Sequence, residues 1–267
     1  MYFRNHCLRL SNITLYLGSD EARVGKEIRD ILSCRSEPAE AGASVIDVGG
    51  YSSRPGADEV SPEEEWRRVD LGVGAVRSLS SDLPVSIDTF RSSVAARAIH
   101  KYGKVIINDI SAGELDPLIV DVAAEHDVPY VAMHMKGDPR TMQSMTDYRD
   151  IVAEVVDYFR ERTAQLRERG VRRIVVDPGF GFAKTLEQNY ELLRGLHRLA
   201  ELGYPVLAGV SRKSMIYKLL GTTPAEALNG TTALHWECLR QGAVILRAHD
   251  TREAVEVVRM FDQFMQA

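Results

Sequence analysis

The chain has 267 residues, 45% of them hydrophobic and 27% charged, and a formal net charge of -5 at neutral pH. This is the balance of an ordinary globular protein, and no cluster of lysine and arginine offers the concentrated basic face that a nucleic-acid backbone requires. Cys7, Cys34 and Cys238 form neither a disulfide framework nor a CxxC metal motif. No apolar run approaches the roughly 18–20 residues of a membrane span, and MYFRNHCLRL at the amino terminus lacks the apolar core of a signal peptide. The expectation is a cytoplasmic protein with neither nucleic-acid nor membrane partners.

Short apolar runs alternate with segments of helical period. In chain order the strands are expected at Cys7–Ser11, Ser44–Val48, Pro84–Asp88, Val105–Asn108, Pro129–His134, Arg173–Asp177, Pro205–Val210 and Val244–Ala248. Amphipathic helices such as Glu63–Leu79, Ser92–Tyr102, Tyr148–Arg169, Leu186–Leu202 and Pro224–Gln241 lie between them. The strands are continuously apolar rather than alternating, which marks burial on both faces and hence a parallel sheet. Eight such strands interleaved with helices predict a single α/β domain over residues 1–267, closed as a (β/α)8 TIM barrel. Ser61-Pro62-Glu63-Glu64 supplies an N-cap, a proline at the first helical position and an acidic first turn, and Thr223-Pro224-Ala225-Glu226 repeats the device. Pro38 is expected to kink the helix before Ala43.

In a barrel of this kind the loops at the carboxyl ends of the strands converge on the reaction site. Those ends carry Asn12, Asp47, Asp88, Asn108, His134, Asp177, Lys213, Arg247 and His249. Any one of them reads equally well as a cap or turn residue; so many at one end do not. Asp88, Asn108 and Asp177 offer acceptors and one amide to the N–H edge of a flat heterocycle. Arg54, Lys213, Arg247 and His249 offer donors to carbonyl or phosphate oxygens. The chemistry points to an amine-bearing aromatic heterocycle that carries phosphate. Glycine loops follow the second strand (Gly49–Gly56) and the sixth (Pro178–Phe182), yet neither is a Walker loop or a GxGxxG opening a helix.

Seven segments, in order along the chain, resemble the dihydropteroate synthases: Ile46-Asp-Val-Gly-Gly-Tyr-Ser-Ser-Arg-Pro-Gly56, Ser86-Ile-Asp-Thr89, Ile107-Asn-Asp-Ile-Ser111, Met133-His-Met135, Asp177-Pro-Gly-Phe-Gly-Phe182, Ser211-Arg-Lys-Ser214 and Arg247-Ala-His-Asp250. The resemblance implies a homodimeric, sulfonamide-sensitive transferase of folate synthesis. Such an enzyme joins 4-aminobenzoate to 6-hydroxymethyl-7,8-dihydropterin diphosphate. It further implies that Asp177, Asn108 and Asp88 hold the pterin ring, with Lys213 on its carbonyl side and Met133 and the Arg247 stem on its faces. Asn12, Ser53, Arg54, Arg247 and His249 would grip the diphosphate, with Asn12 a Mg2+ ligand. Phe182, Arg212 and Ser214 would line the 4-aminobenzoate site. Asp88, Lys213 and Arg54 are the expected catalytic residues, and His134 is expected behind the site.

One stretch departs from that pattern. Where the family carries Asn-Val-Thr-Pro-Asp-Ser-Phe-Ser-Asp, this chain has Asn12-Ile-Thr-Leu-Tyr-Leu-Gly-Ser-Asp20, so the acidic centre of the first loop is missing. A catalytically impaired pterin-binding protein is therefore a second reading. A pterin-dependent methyltransferase barrel is a third, but it has no use for Ser211–Ser214 or the Arg247/His249 pair. A metal-dependent hydrolase barrel would need a His-x-His at the first strand, where His6 stands alone.

Overall fold

The computed structural model describes the backbone of residues 8–13, together with residues 43–52, 59–138 and 141–267. Eight strands are present: β1 (Leu8–Ile13), β2 (Val45–Gly49), β3 (Val85–Asp88), β4 (Ile106–Asp109), β5 (Tyr130–Met133), β6 (Ile174–Asp177), β7 (Leu207–Ala208) and β8 (Ile245–Ala248). Their order is β6-β5-β4-β3-β2-β1-β8-β7 and the paired strands run parallel. A parallel bridge between Val176 and Val206 joins β6 to β7 and closes the barrel. Closure leaves no sheet edge unpaired.

Outside the strands lie α1 (Pro62–Leu79), α2 (Ser92–Tyr102), α3 (Leu118–Glu125), α4 (Ile151–Glu168), α5 (Leu186–Arg194), α6 (His197–Ala200), α7 (Ser214–Leu220), α8 (Leu228–Arg240) and α9 (Thr251–Gln266). Their apolar stripes meet the outward strand residues in one core. Val69, Val73 and Val76 of α1 and Phe159 of α4 join Ile46, Ile87 and Ile107 there. Each such side chain contributes roughly 1.5–3 kcal/mol by leaving water. Ser61 caps α1 by accepting from the Glu64 N–H at 3.2 Å, with Pro62 at the first position.

The helices differ from expectation where tertiary contacts intervene. The Leu186–Leu202 segment breaks into α5 and α6 at Gly195, where a Cβ would lie 2.7 Å from the Val152 side chain of α4. The Pro224–Gln241 segment starts as a 3-10 turn over Pro224–Glu226 and becomes α-helical only at Leu228. The Arg212 guanidinium takes the Pro224 and Ala225 carbonyls, withdrawing them from a helical ladder. The segment from Tyr148 becomes helical at Ile151, where Asp150 caps it from outside. β1 runs to Ile13 instead of ending at Ser11, so Asn12 lies within the strand, while β7 is only Leu207–Ala208. Pro38 lies outside the described residues.

Candidate active site at the strand ends

Strand alternation builds the site in two steps. Val45, Val131, Val175, Leu207 and Ile245, with Ile106 against them, form an apolar cluster inside the barrel. Two residues further along the same strands stand Asp47, Met133, Asp177, Gly209, Arg247 and Asn108. Because side chains recur on one face every second residue, the apolar plug gives way directly to a polar layer. Register adds Ser86 beside Asp47, and sets Asp88 opposite both Gly49 and Asn108.

Two buried acceptors of this layer have no hydrogen-bond partner among the described residues, Asn108 Oδ1 and Asp177 Oδ2, while the Ser86 hydroxyl lies against the Asp47 carboxylate and offsets part of the rise that burial causes in its pKa. Buried polar atoms are normally paired, so two orphans at one mouth are the signature of a polar ligand. Each is held in place by its neighbour. Asn108 Nδ2 donates to Asp47 Oδ2 at 2.9 Å, which leaves the amide oxygen as the acceptor without a partner. Gly179 N–H donates to Asp177 Oδ1 at 2.8 Å. Asp177 Oδ2 lies 3.1 Å from Arg247 Nη2, an ion-pair distance without hydrogen-bond alignment.

The electrostatics are correspondingly tense. Burial pushes the Asp88 carboxyl well above the usual carboxylate range; the nearby Asp47 carboxylate adds to this and Arg247 opposes it. Asp88 nevertheless keeps part of its surface open at the mouth. Asp47 is also raised by burial, with the Arg247 charge as the main counterweight. Lys213 is lowered to about 7, first by burial and then by Arg247. Its ammonium donates to the Phe180 carbonyl and stands 4.8 Å from the centre of the Phe182 ring.

The remaining expected residues fall around this centre. Met133 is fully buried at the end of β5. His249 is exposed; its backbone N–H donates to Ser211 Oγ at 3.1 Å, and its Nδ1 lies at the same distance from that hydroxyl. Ser214 opens α7, half-buried, and Phe182 is half-buried on the β6 loop. His134 is buried behind the layer, held neutral by burial and by the charge of Lys184. Arg212 acts as a brace: Nε and Nη2 donate to both Asp250 oxygens at 2.9 and 2.7 Å, and Nη1 to two loop carbonyls. The register pairs Asn12 with Asp47. Ser53 and Arg54 lie outside the described residues.

Residues 10–249 match the family model of pterin binding enzymes. Among curated relatives, the dihydropteroate synthase of Synechocystis sp. is 43% identical over 84% of this chain and 78% of its own length. That of Escherichia coli (strain K12) is 43% identical over 85% and 80%. The chain belongs to the dihydropteroate synthase family of pterin-binding enzymes. Solved structures of the family share its fold. The Thermus thermophilus synthase in complex with 4-aminobenzoate has a TM-score of 0.84 and 36% identity, covering 97% of this chain and 95% of that one. The Yersinia pestis synthase with a sulfonamide drug complex has a TM-score of 0.88 and 32% identity over 98% and 95%.

Two contributors to this site escaped the sequence reading, and a third, Asp47, was read at its strand end without a role. Asp47 orients Asn108. Glu65 looked like one more acid complementing the α1 dipole, yet it is fully buried, accepting from Thr89 Oγ1 and pairing with Arg91 at 2.6 Å beside Asp88. Lys184 follows the glycine loop and looks like a solvated cap residue; it is buried.

Proposed function

We propose that the polar layer of the barrel seats the pterin of the reaction this enzyme family performs, the condensation of 6-hydroxymethyl-7,8-dihydropterin diphosphate with 4-aminobenzoate to 7,8-dihydropteroate and diphosphate. One observation carries the assignment: buried acceptors without a hydrogen-bond partner at Asn108 Oδ1 and Asp177 Oδ2 stand beside a cationic side formed by Arg247 and Lys213. A pterin has an N–H edge for the first and a carbonyl for the second. Asp177 takes the 2-amino and N3 hydrogens, Asn108 and Asp88 the other ring nitrogens, and Lys213 the carbonyl. Met133 and the Arg247 stem cover the ring faces.

The diphosphate lies toward Arg247, His249, Arg54, Ser53 and Asn12. Magnesium prefers oxygen ligands and keeps waters and phosphate oxygens in its shell. Among the described residues no three His, Cys, Asp or Glu side chains converge into a protein cage. The reading supported by the resemblance is a Mg2+ that would be held by Asn12 together with the substrate. When bound, the ion neutralises charge on the leaving diphosphate. Loss of diphosphate precedes attack by the weakly nucleophilic aromatic amine. A cation growing on the pterin methylene lowers the pKa of Asp88, whose proton passes to solvent at the open mouth and leaves a carboxylate facing the cation. Phe182 and Ser214 line the 4-aminobenzoate side, while Arg212, tied to Asp250, shapes that wall rather than donating into it. A homodimer would cover exposed apolar side chains such as Leu219 and Leu220 of α7 or Met260, Phe264 and Met265 of α9.

The test is turnover with both substrates and Mg2+. Formation of dihydropteroate with matching diphosphate release is expected; release of diphosphate without dihydropteroate would favour the impaired reading suggested by Leu15–Gly18, which lie outside the described residues. Restoring Pro-Asp-Ser-Phe at positions 15–18 is expected to raise kcat with little change in pterin affinity, because a closing loop acts mainly on the reacting state.

A further inference from the structure

Lys184 is a cation placed where a cation is costly. It is 8% exposed, and burial, then the Lys213 charge, depress its pKa to about 7. A methionine of similar shape would fill the space without that cost, so retention of the amine calls for a task. Its partners show what the task is. The ammonium has three hydrogens and three acceptors: the Phe182 carbonyl at 2.9 Å, the Gly179 carbonyl at 3.0 Å and His134 Nδ1 at 3.2 Å. The two carbonyls belong to the loop after β6 and the imidazole to the end of β5, so the amine bridges the flanks of Asp177. The His134 backbone N–H completes the ring by donating to the Asp177 carbonyl at 3.0 Å.

The loop so held is not a relaxed one. Gly179 has φ +68, and a Cβ there would lie 2.1 Å from the His134 carbonyl oxygen; Ala183 has φ 50 without being a glycine. Left-handed backbone at a non-glycine residue persists only when its surroundings fix it. Gly179 is also the residue whose N–H aims the Asp177 carboxylate, and Phe182 carries the ring beside Lys213.

We propose that Lys184 is a positioning residue of the condensation, tying the Gly179 and Phe182 carbonyls to His134 and thereby fixing both the aim of Asp177 at the pterin and the Phe182 ring at the 4-aminobenzoate side. It touches neither substrate. This rests on the pterin site assigned above, and the Asp177→Asn variant described next separates failure of one from failure of the other.

The experiment is calorimetric titration of 6-hydroxymethylpterin into the full chain and into Lys184→Met, Asp177→Asn and the double variant, with the KM for 4-aminobenzoate measured in parallel. Lys184→Met is expected to weaken pterin binding about tenfold and to raise that KM. The double variant is expected to bind no more weakly than Asp177→Asn alone, since groups acting through one another are not additive. Parent-like pterin affinity in Lys184→Met, or losses that multiply in the double variant, would overturn the proposal. An Asp177→Asn protein with parent affinity would instead remove the pterin assignment. If Lys184→Met gives no folded protein, Lys184→Arg, which keeps charge and donors in another geometry, is expected to show a smaller loss of the same kind. Parent affinity in Lys184→Arg, or failure of both variants to fold, assigns Lys184 to stability alone and sinks the proposal.

Discussion

Val175 and Asp177 share one face of β6, two residues apart, and the same pairing recurs at Val45 and Asp47, at Ile106 and Asn108, and at Ile245 and Arg247. The first member of each pair belongs to a dry plug that closes the barrel. The second belongs to a layer with buried acceptors, Asn108 Oδ1 and Asp177 Oδ2, that lack a hydrogen-bond partner among the described residues. Both layers hang from the same backbone ladder, so the contrast separates what the fold needs from what the chemistry needs. The plug gains stability from every contact; the layer above holds carboxylates at raised pKa and a lysine at lowered pKa, in anticipation of a ligand.

Moving a charge down into the plug breaks the contrast hardest. Val175→Asp buries an unpartnered carboxylate among Val45, Val131 and Ile245, and is expected to cost roughly 4 kcal/mol or more, read by urea denaturation. Changes in the upper layer should leave the unfolding midpoint nearly intact and act on binding. Arg247→Lys replaces a planar fork with a point charge, and about 2 kcal/mol of affinity for the pterin diphosphate should go with it. Asp47→Asn keeps shape but lets the Asn108 amide turn; pterin affinity is expected to fall by about 1 kcal/mol in calorimetry. A large stability loss in either upper-layer variant would erase the distinction between the layers.

The smallest effect concerns protons. Lys213, lowered to about 7, is mainly neutral at about pH 8 in the absence of substrate. An anionic ligand raises its pKa, so binding of the pterin diphosphate should take up a proton there, and less so near pH 6, where the lysine already carries it. Titrations in buffers of different ionisation enthalpy read the uptake directly.

The polar layer was largely legible in the sequence, because a continuous apolar run ending in a polar residue marks both strand and mouth together. Pro84–Asp88, Val105–Asn108 and Arg173–Asp177 are such runs, and β3, β4 and β6 end within one residue of them. What was not legible depends on partners distant along the chain. Arg212 is claimed by Asp250, 38 residues on, and Glu65 by Arg91, 26 residues on. Lys184 and Glu65 carry no local sign of burial, since a lysine after a glycine loop and an acid in a first helical turn are ordinarily solvated. Gly195, at the break between α5 and α6, is packed against Val152 on another helix.

The central claim is that the layer above the plug is the pterin seat, and Asp177 is its test. Asp177→Asn preserves the shape while presenting a donor where the ring's N–H edge needs an acceptor. Calorimetric titration of 6-hydroxymethylpterin into parent and variant should show a loss of roughly 2–4 kcal/mol, with the unfolding midpoint maintained. Equal affinities in the two proteins would contradict the account.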